Sequence, residues 1–388
     1  MSVERVDVVI AGGAAVGSAI AYFLALEPAF SGSIVVVEPD PTYEFAASAL
    51  SASSIRQQFS TPLNIALSAY GMQFLRACSR DLADVNLVES TYLYLASAQG
   101  RDALIRNVDV QKQYGVAARL LDSAALAASY PWINTSDLAA AADTGSGEGW
   151  FDGYTLLRTL RQSSERRGVR YLRDRVAAVE MSGPEHVDGV RLGGGDTLGC
   201  RWLVNAAGTR SRTIAALAGI DLPVYPRKRN VFVFTASSPP AACPLVVDPS
   251  GLWFRPERDR FICGVVPEAD STVAADDFEV QHQLFDDLAW PALAHRVPAF
   301  EAIRLAGGWV GHYDYNEFDQ NAFLGPCEPV PNLILASGFS GHGLQHAPAV
   351  GRALAEYIVF GEYRSIDITP LSYARYVRGL PLRERNVI

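Results

Sequence analysis

The sequence predicts an α/β fold, α+β over the whole chain, with a parallel sheet and a second domain built on a mixed or antiparallel sheet. Three observations predict it. A buried strand, a glycine turn and a helix open the chain at residues 6–26. Short alternating strands separated by prolines fill residues 222–311. A buried strand at 332–338 then enters a second glycine-rich loop, 338–345, and a helix that runs through 350–360.

The first 38 residues form a strand–turn–helix–strand motif. Residues 6–11 are rich in β-branched residues, which predicts a buried strand, and a second such strand ends at Glu38. The glycine-rich turn at 12–17 precedes apolar residues at helical spacing over 18–26. This unit can seat a pyrophosphate on a helix N-terminus and hold a ribose hydroxyl with the carboxylate. The middle glycine of the G-x-G-x-x-G pattern is Ala14, which fits where its φ is negative; an ordinary glycine turn without a nucleotide is the alternative interpretation.

The remaining elements follow from the periodicity of apolar residues. Helical spacing predicts helices over 63–80, 101–114 and 154–167. Alternation or short apolar runs predict strands over 91–96, 169–172, 176–181, 187–192 and 202–208. Residues 143–153 are predicted to be a glycine-rich turn region. Because 388 residues are too many for one ordinary core, two domains are expected.

Composition excludes several classes of partner. The net charge of −9 argues against nucleic acid or an anionic membrane surface as the main partner. No apolar run reaches the roughly 18 residues that a membrane span needs, and the strand that begins at Val6 leaves no room for a signal peptide. The five cysteines lack C-x-x-C spacing, which favours reduced thiols over a disulfide frame or a metal site. A cytoplasmic protein without a metal is therefore expected.

Four segments carry a resemblance to a known family. They are the N-terminal motif, Ser48-Ala49-Leu50-Ser51-Ala52, Asn205-Ala206-Ala207-Gly208 and Gly338-Phe339-Ser340-Gly341-His342-Gly343. In this order, spanning nearly the whole chain, they resemble the flavin-dependent amine and amino-acid oxidoreductases typified by D-amino-acid oxidase, glycine oxidase and sarcosine oxidase. Residues 55–60 and 319–321 look most like a subgroup that includes the FAD-dependent oxidoreductase-domain protein of mitochondrial complex I assembly.

The resemblance implies a fold and a division into domains. The fold is of the glutathione-reductase type, similar to D-amino-acid oxidase. A Rossmann-like FAD-binding domain would comprise residues 1–85, 145–222 and 318–388. A substrate-binding domain with a mixed or antiparallel sheet would comprise residues 86–144 and 223–317.

The resemblance also implies the residues that contact FAD. Glu38 would bind the adenosine ribose, residues 48–52 would lie along the ribityl chain and pyrophosphate, and Val176 would touch the adenine. Residues 338–345 would approach the flavin, where a helix N-terminus favours the anionic reduced ring. The expected cofactor-binding residues are Gly12, Gly13, Ala14, Ala15, Val16, Gly17, Glu38, Pro39, Ser48, Ala49, Leu50, Ser51, Val176, Ala207, Gly208, Gly338, Phe339, Gly341, His342, Gly343, Leu344 and Gln345.

Non-covalent FAD is predicted. Some members of the family attach the flavin through a cysteine two residues before a tyrosine that matches Tyr313. That position is Gly311 in this chain, and Cys327, the nearest cysteine, lies far along the sequence.

Substrates of the family are usually amino acids, whose carboxylate an arginine can grip with its planar fork. The candidate substrate-binding and catalytic residues are Arg56, Tyr313, Tyr315, His342 and Gln345, with Arg229 and Arg255 as second choices. A structural salt bridge is the alternative role for each arginine, and fixing the loop is the alternative for His342. Gln345 stands where sarcosine oxidases carry a lysine that promotes reaction with oxygen, which predicts an electron acceptor other than oxygen.

The sequence as a whole predicts an FAD-dependent oxidoreductase that oxidises a C–N bond of an amino acid or N-alkyl amino acid. A hydride would pass to flavin N5, and the imine product would then be hydrolysed. A flavin-bearing assembly or scaffold protein without small-molecule turnover is the first alternative. An NAD-dependent dehydrogenase is the second, and the C-terminal glycine loop and the mixed sheet argue against it. The side chain and chirality of the substrate, the electron acceptor and the oligomeric state stay open.

Overall fold

The protein is described here by a computed structural model that covers residues 4–267 and 269–385. The helices are α1 (Ala15–Leu26), α2 (Pro62–Asp81), α3 (Arg101–Gln113), α4 (Ser123–Ser129), α5 (Gly153–Glu165), α6 (Ser211–Leu217), α7 (Trp290–Arg296), α8 (Gly343–Phe360) and α9 (Ala374–Val377). None of the helices within the described ranges is long and apolar enough to cross a bilayer.

The strands alternate with these helices in the first part of the chain and cluster in its middle. They are β1 (Glu4–Ala11), β2 (Ile34–Val37), β3 (Ser54–Ile55), β4 (Val88–Ser90), β5 (Tyr92–Ala96), β6 (Arg119–Leu121), β7 (Ala140–Asp143), β8 (Glu148–Trp150), β9 (Arg170–Leu172), β10 (Val176–Met181), β11 (Val187–Leu192), β12 (Thr197–Asn205), β13 (Val224–Ala236), β14 (Leu245–Val247), β15 (Leu252–Glu257), β16 (Arg260–Val265), β17 (Ile303–Asn316), β18 (Phe323–Cys327) and β19 (Val330–Ser337).

The first sheet has the order β10-β11-β12-β1-β2-β9, and β19 pairs with β12 and β18. Its centre is parallel, since β1 runs parallel to β2 and β12, and β12 runs parallel to β19. Both faces are buried: Val8 and Ile10 pack into one core cluster, while Val9 and Ala11 pack into another on the opposite face. This two-sided burial explains why the strands are continuous apolar runs.

Helices α1, α2, α5 and α8 cover one face of the first sheet. Helices α1 and α8 approach closely where a Cβ at Gly351 would lie 2.8 Å from the Cβ of Ala19. This close packing brings the first turns of α1 and α8 to the same edge of the sheet, where β1 and β19 end.

The second sheet has the order β17-β13-β16-β15-β14-β5-β7-β6. Its pairs are antiparallel except that β14 and β5 are parallel, so the sheet is mixed. The long strands β13 and β17 pair from Val224–Asn316 to Ala236–Ile303. Phe232 and Phe234 of β13 are fully buried in a core cluster of this second sheet, and Arg229 and Asn230 of the same strand line a cavity. The predicted fold class is therefore confirmed.

Two local predictions were wrong. The first helix begins at Ala15 rather than Ser18. Gly17 lies within the first turn of this helix, where glycine is required because a Cβ would lie 1.9 Å from the carbonyl oxygen of Gly12. The predicted turn region 143–153 contains strand β8, which pairs with β3 and β4. Gly149 permits this strand, since a Cβ there would lie 2.0 Å from the carbonyl oxygen of Val88.

The predicted domain boundaries stay a prediction. Strands of the first sheet fall in residues 4–37, 170–205 and 323–337, and strands of the second fall in 92–143 and 224–316. The chain thus leaves the first sheet twice and returns to it each time.

Candidate active site

A cavity of about 430 Å³ lies between the two sheets. Its walls come from the turn after β1, the segment that follows β2, the turn after β12, the strand pair β13–β17 and the loop after β19. Ligands of open parallel sheets bind at the carboxyl ends of the strands, and β1, β12 and β19 all end here. The volume is typical of a small-molecule site.

The N-terminal glycine turn is shaped for close approach of the backbone. Gly12 has a φ of +98°, and a Cβ there would lie 2.4 Å from the carbonyl oxygen of Ala206. Ala14 has a φ of −71°, the negative value that an alanine at this position of the motif requires. Its side chain does not cap α1, and the first turn of α1 contains no acidic residue. The N–H groups of Gly12, Gly13 and Ala15 already have acceptors within the protein. The other N–H groups at the start of α1 are therefore the ones suited to an anion.

Glu38 directly follows the second strand of the motif and lines the cavity. Its carboxylate accepts hydrogen bonds from the backbone N–H groups of Gly13 (2.8 Å) and Asp40 (2.9 Å). Burial raises the pKa of this carboxyl, while the two N–H groups oppose that shift. A carboxylate offers about four acceptor positions, so capacity for a ribose hydroxyl remains.

The C-terminal glycine loop is tied to β17 by a buried carboxylate. Asp314 accepts hydrogen bonds from the backbone N–H groups of Gly338 (2.7 Å) and Phe339 (3.2 Å). Burial raises the pKa of Asp314 to about 6. Helix α8 starts directly after this loop, and its first turn has neither a side-chain cap from His342 nor an acidic residue. A second helix N-terminus therefore reaches the cavity.

Arg56 is one of the charged residues in the cavity wall. It is 2% exposed and donates hydrogen bonds to the hydroxyl of Tyr94 and to Nε2 of His342 (3.1 Å). Its guanidinium lies 4.5 Å from the ring centroid of Phe59. Arginine only donates, so Nε2 of His342 must be the acceptor and the imidazole is neutral with its proton on Nδ1. Burial, with the charge of Arg56 and the neighbouring His346, holds the pKa of His342 well below its usual value.

Gln345 and His346 complete this side of the site. The side-chain oxygen of Gln345 accepts hydrogen bonds from the backbone N–H of Arg56 (2.9 Å) and the hydroxyl of Ser68 (3.2 Å). Burial, followed by the charge of Arg56, lowers the pKa of His346 to about 3. Both imidazoles are therefore neutral at pH 7, and the guanidinium carries the charge of this cluster.

Comparison with known proteins identifies the family. The family of FAD dependent oxidoreductases that includes D-amino-acid oxidase matches residues 7–357 of the chain. The protein belongs to this family. It is an FAD-dependent oxidoreductase, and FAD is its cofactor.

Named relatives and solved structures agree with this assignment. The chain is similar to FAD-dependent oxidoreductase domain-containing protein 1 of Xenopus laevis, with 39% identity over 99% of this chain and 85% of that protein. Its fold matches that of L-proline dehydrogenase from P. horikoshii with a TM-score of 0.85, at 22% identity over 98% of this chain and 100% of the other. It matches glycine oxidase from Geobacillus kaustophilus with a TM-score of 0.81, at 24% identity over 95% of this chain and 98% of the other.

The cavity of this oxidoreductase fits FAD. There is no room for a Cβ at Gly12 or Gly17, so the turn is formed by backbone atoms without side chains at these two positions. The starts of α1 and α8 both reach the cavity without an acidic residue in their first turns. Glu38 lies at the ribose position of the motif. A dinucleotide with two phosphates needs such N–H groups and such a carboxylate.

Most of the predicted site residues come together in the flavoenzyme cavity. Gly13, Ala15, Gly17 and Ala49 belong to the same turns but do not line it. The predicted residues that do line it are Gly12, Ala14, Val16, Glu38, Pro39, Ser48, Leu50, Ser51, Arg56, Ala207, Gly208, Arg229, Tyr313, Phe339, Gly341, His342, Gly343, Leu344 and Gln345.

Four predicted residues lie elsewhere. Val176 packs into the core beneath the first sheet, and the ring of Tyr315 lies 5.0 Å below the guanidinium of Arg227. Gly338 contributes to the loop through its N–H but is not among the described residues that line the cavity. Arg255 forms an ion pair with Glu257 and donates to the carbonyl oxygen of Ala52. These contacts correspond to a structural salt bridge, the alternative role given above for the arginines.

Sequence reasoning missed two buried carboxylates that hold the site. Glu148 accepts hydrogen bonds from the backbone N–H groups of Gln57 (2.7 Å) and Tyr92 (2.8 Å), and so fixes the segment after Arg56 to the second sheet. Glu148 lies between Gly147 and Gly149, and the glycines of this stretch predicted a turn region rather than a buried carboxylate. Asp314 gave no signal either, because it lies just beyond the strand-rich stretch 222–311 among polar and aromatic residues.

The motif at 319–321 does not line the cavity. Asp319 binds Arg375 through two hydrogen bonds of 2.7 and 3.0 Å. The side chain of Asn321 donates to the carbonyl oxygen of Leu382 and accepts from Asn64 (2.7 Å). The motif therefore holds the C-terminal segment against the start of α2.

Proposed function

We propose that this oxidoreductase oxidises a C–N bond of an amino acid or an N-alkyl amino acid. The observation that carries the proposal is the position of Arg56, a buried guanidinium in the wall of the flavin cavity. A planar arginine fork in a desolvated wall favours a carboxylate, which it can bind through two parallel hydrogen bonds. Structural relatives named L-proline dehydrogenase and glycine oxidase add support, since their names state amino-acid substrates.

Holding the cofactor would fall to the two glycine-rich segments. The backbone of residues 12–17 and the first turn of α1 would bind the pyrophosphate, and Glu38 would bind the adenosine ribose. Residues 339–345 would lie against the flavin. FAD, when bound, supplies the acceptor for the hydride that leaves the substrate C–H bond. The imine that results is hydrolysed by water to a carbonyl compound and an amine or ammonia.

The side chains around the substrate would bind and orient it rather than remove its proton. Arg56 would grip the carboxylate, and Tyr313, which lines the same cavity, would add its hydroxyl. His342 is a positioning residue, because its one acceptor nitrogen already receives a hydrogen bond from Arg56. The substrate amine would accordingly enter in its neutral form.

Anaerobic flavin reduction tests this function. The FAD-loaded protein is mixed without oxygen with glycine, sarcosine, proline and the D- and L-forms of the common amino acids. The absorbance of the oxidised flavin should bleach with at least one of them. Flavin that stays oxidised across the whole panel would contradict the proposal and favour a protein without small-molecule turnover.

A pair of arginine variants tests the role of Arg56. With the best substrate, R56M should raise the concentration for half-maximal reduction at least about tenfold, since a hydrogen-bonded charge contact is lost. The matched control is R76M, because Arg76 is half exposed on α2 and pairs with Glu89. An R56M protein that binds FAD and reacts like R76M would rule out Arg56 as the carboxylate anchor.

A further inference from the structure

A second buried arginine, Arg229, lines the same cavity from strand β13. It is 9% exposed, and its guanidinium lies 4.9 Å from the ring centroid of Tyr313. The same ring borders the C-terminal glycine loop, since a Cβ at Gly341 would lie 2.6 Å from it. Arg229 therefore belongs to the part of the cavity wall next to the loop that carries His342.

Three of the five N–H groups of Arg229 donate hydrogen bonds to the protein, and the other two lie along one edge of the guanidinium. Nη1 donates to Oδ1 of Asp270 (2.7 Å) and to the carbonyl oxygen of Lys228 (3.0 Å), and Nη2 donates to Oδ2 of Asp270 (2.8 Å). Within residues 4–267 and 269–385, Nε has no hydrogen-bond partner although it is buried. The remaining hydrogen on Nη2 lies beside Nε–H along one edge of the guanidinium plane. This edge is itself a fork that matches a carboxylate.

The segment 269–281 holds Arg229 in place. Asp270 binds the end of the guanidinium, and Asp277 of the same segment pairs with Lys228 at 2.6 Å. Asn230 and Gln281 exchange two further hydrogen bonds of 3.0 and 2.9 Å. The free edge of Arg229 is therefore fixed in advance, and a ligand would not have to order a flexible side chain.

We propose that the free edge of Arg229 binds a second acidic group of the substrate. This inference rests on the proposed function, in which Arg56 binds the amino-acid carboxylate. One carboxylate can bind only one of the two arginine forks. A substrate with a single acidic group would therefore leave the buried donors of the other fork without an acceptor, which is energetically unfavourable. The substrate class is thus an amino acid with a second carboxylate, on its side chain or on its nitrogen.

Ligand binding to the oxidised holoenzyme tests the inference independently of turnover. Propionate is compared with malonate, succinate and glutarate, and binding is followed by the change in the visible spectrum of the bound flavin. The tightest dicarboxylate should bind at least about tenfold more tightly than propionate, which is the usual value of a hydrogen-bonded charge contact. R229M should remove this preference and leave propionate binding unchanged.

Two further variants control for charge and for position. R229K should also lose the preference, because an ammonium group has no fork. R227M should keep it, because Arg227 lies two residues away on the same strand, pairs with Glu317 and is not among the described residues that line the cavity. If R229M fails to take up FAD, the double variant R229M/D270N removes the carboxylate that would be left without its partner.

Three results would overturn the inference. The first is a wild-type protein that binds no dicarboxylate more tightly than propionate. The second is an equal loss of propionate and dicarboxylate binding in R229M, which would make Arg229 the anchor of the amino-acid carboxylate. The third is a changed spectrum of the oxidised flavin in R229M with the preference intact, which would assign the free edge to the cofactor. If instead the preference and its loss are observed but no amino acid bleaches the flavin, the anion site stands and the proposed oxidation fails.

Discussion

The carboxylate of Asp314 accepts a 2.7 Å hydrogen bond from the backbone N–H of Gly338. This contact joins the strand that carries Tyr313 to the loop that precedes α8. Ser340 reinforces the junction, since its N–H donates to the carbonyl oxygen of Asp314 (3.1 Å) and its hydroxyl accepts from the N–H of Asn316 (3.0 Å). Strand β17 of the second sheet and the loop before α8 therefore hold a fixed relative position.

The first prediction concerns the pH dependence of stability. Asp314 has a pKa of about 6 in the folded protein, above its ordinary value of 3.8. The folded state thus binds the proton more tightly, so the contribution of Asp314 to stability is complete below pH 3.8 and is lost as the pH rises through 6. Between pH 4 and 7.5 the unfolding free energy of the wild type should fall by up to about 3 kcal/mol relative to D314N.

Urea denaturation of both proteins across this pH range measures the difference. The control is D188N, which removes a carboxylate whose side chain is half exposed. A difference between wild type and D314N that stays constant with pH would contradict the raised pKa.

The second prediction concerns the N-terminal glycine turn. G12A should lose bound FAD, because its Cβ would lie 2.4 Å from the carbonyl oxygen of Ala206. Gly195 provides a matched control, since its φ of +99° nearly equals the +98° of Gly12 but a Cβ there meets nothing within 4 Å. G195A should cost only the backbone strain of about 1–3 kcal/mol and keep its flavin.

The ratio of flavin to protein absorbance in the purified variants measures the effect of both glycine substitutions. Equal flavin content in G12A and G195A would show that the turn tolerates a side chain and does not lie against the pyrophosphate.

The third prediction compares two tyrosines of β17. Tyr313 lines the cavity, whereas Tyr315 packs against Arg227 outside it. Y313F should raise the KM of the best amino-acid substrate about tenfold through the loss of one hydrogen bond to a charged group. Y315F should leave KM and kcat unchanged, and steady-state kinetics with the same acceptor would distinguish the two. A larger effect of Y315F would reverse the assignment.

The fourth prediction concerns the electron acceptor. Gln345 is neutral and its side-chain oxygen is occupied by the N–H of Arg56 and the hydroxyl of Ser68. If residues 339–345 lie against the flavin as proposed, Gln345 adds no positive charge there, and the reduced flavin should react slowly with oxygen. Stopped-flow mixing of the reduced protein with oxygen should therefore show reoxidation no faster than that of free reduced flavin. Rapid reoxidation would identify an oxidase despite Gln345.

The fifth prediction is that FAD is bound without a covalent link. Each of the five cysteines is buried, and Gly311 takes the place of the cysteine that attaches flavin in some relatives. Precipitation with acid should release all of the yellow colour into the supernatant. Flavin that stays with the precipitate would show a covalent attachment.

Local patterns in the sequence predicted the parts of the site that depend on neighbouring residues. The turn at Gly12 and Ala14 is an example, because its strand, glycines and helix lie within a few residues of one another. Glu148 could not be found this way. It binds Gln57 and Tyr92, which are so far from it along the chain that no pattern of neighbouring residues indicates the contact. Arg229 was noted only as a second choice, because its free edge becomes visible only when the hydrogen bonds of Asp270 are known.

The cavity has a consequence for synthesis of the protein. Its walls combine residues 12–56 with residues 336–345, which are synthesised much later than the first group. Strand β12 must also pair with both β1 and β19 before the two glycine-rich turns stand side by side. A nascent chain that lacks residues 336–345 therefore has no complete pocket, and fragments that end before this segment should be colourless.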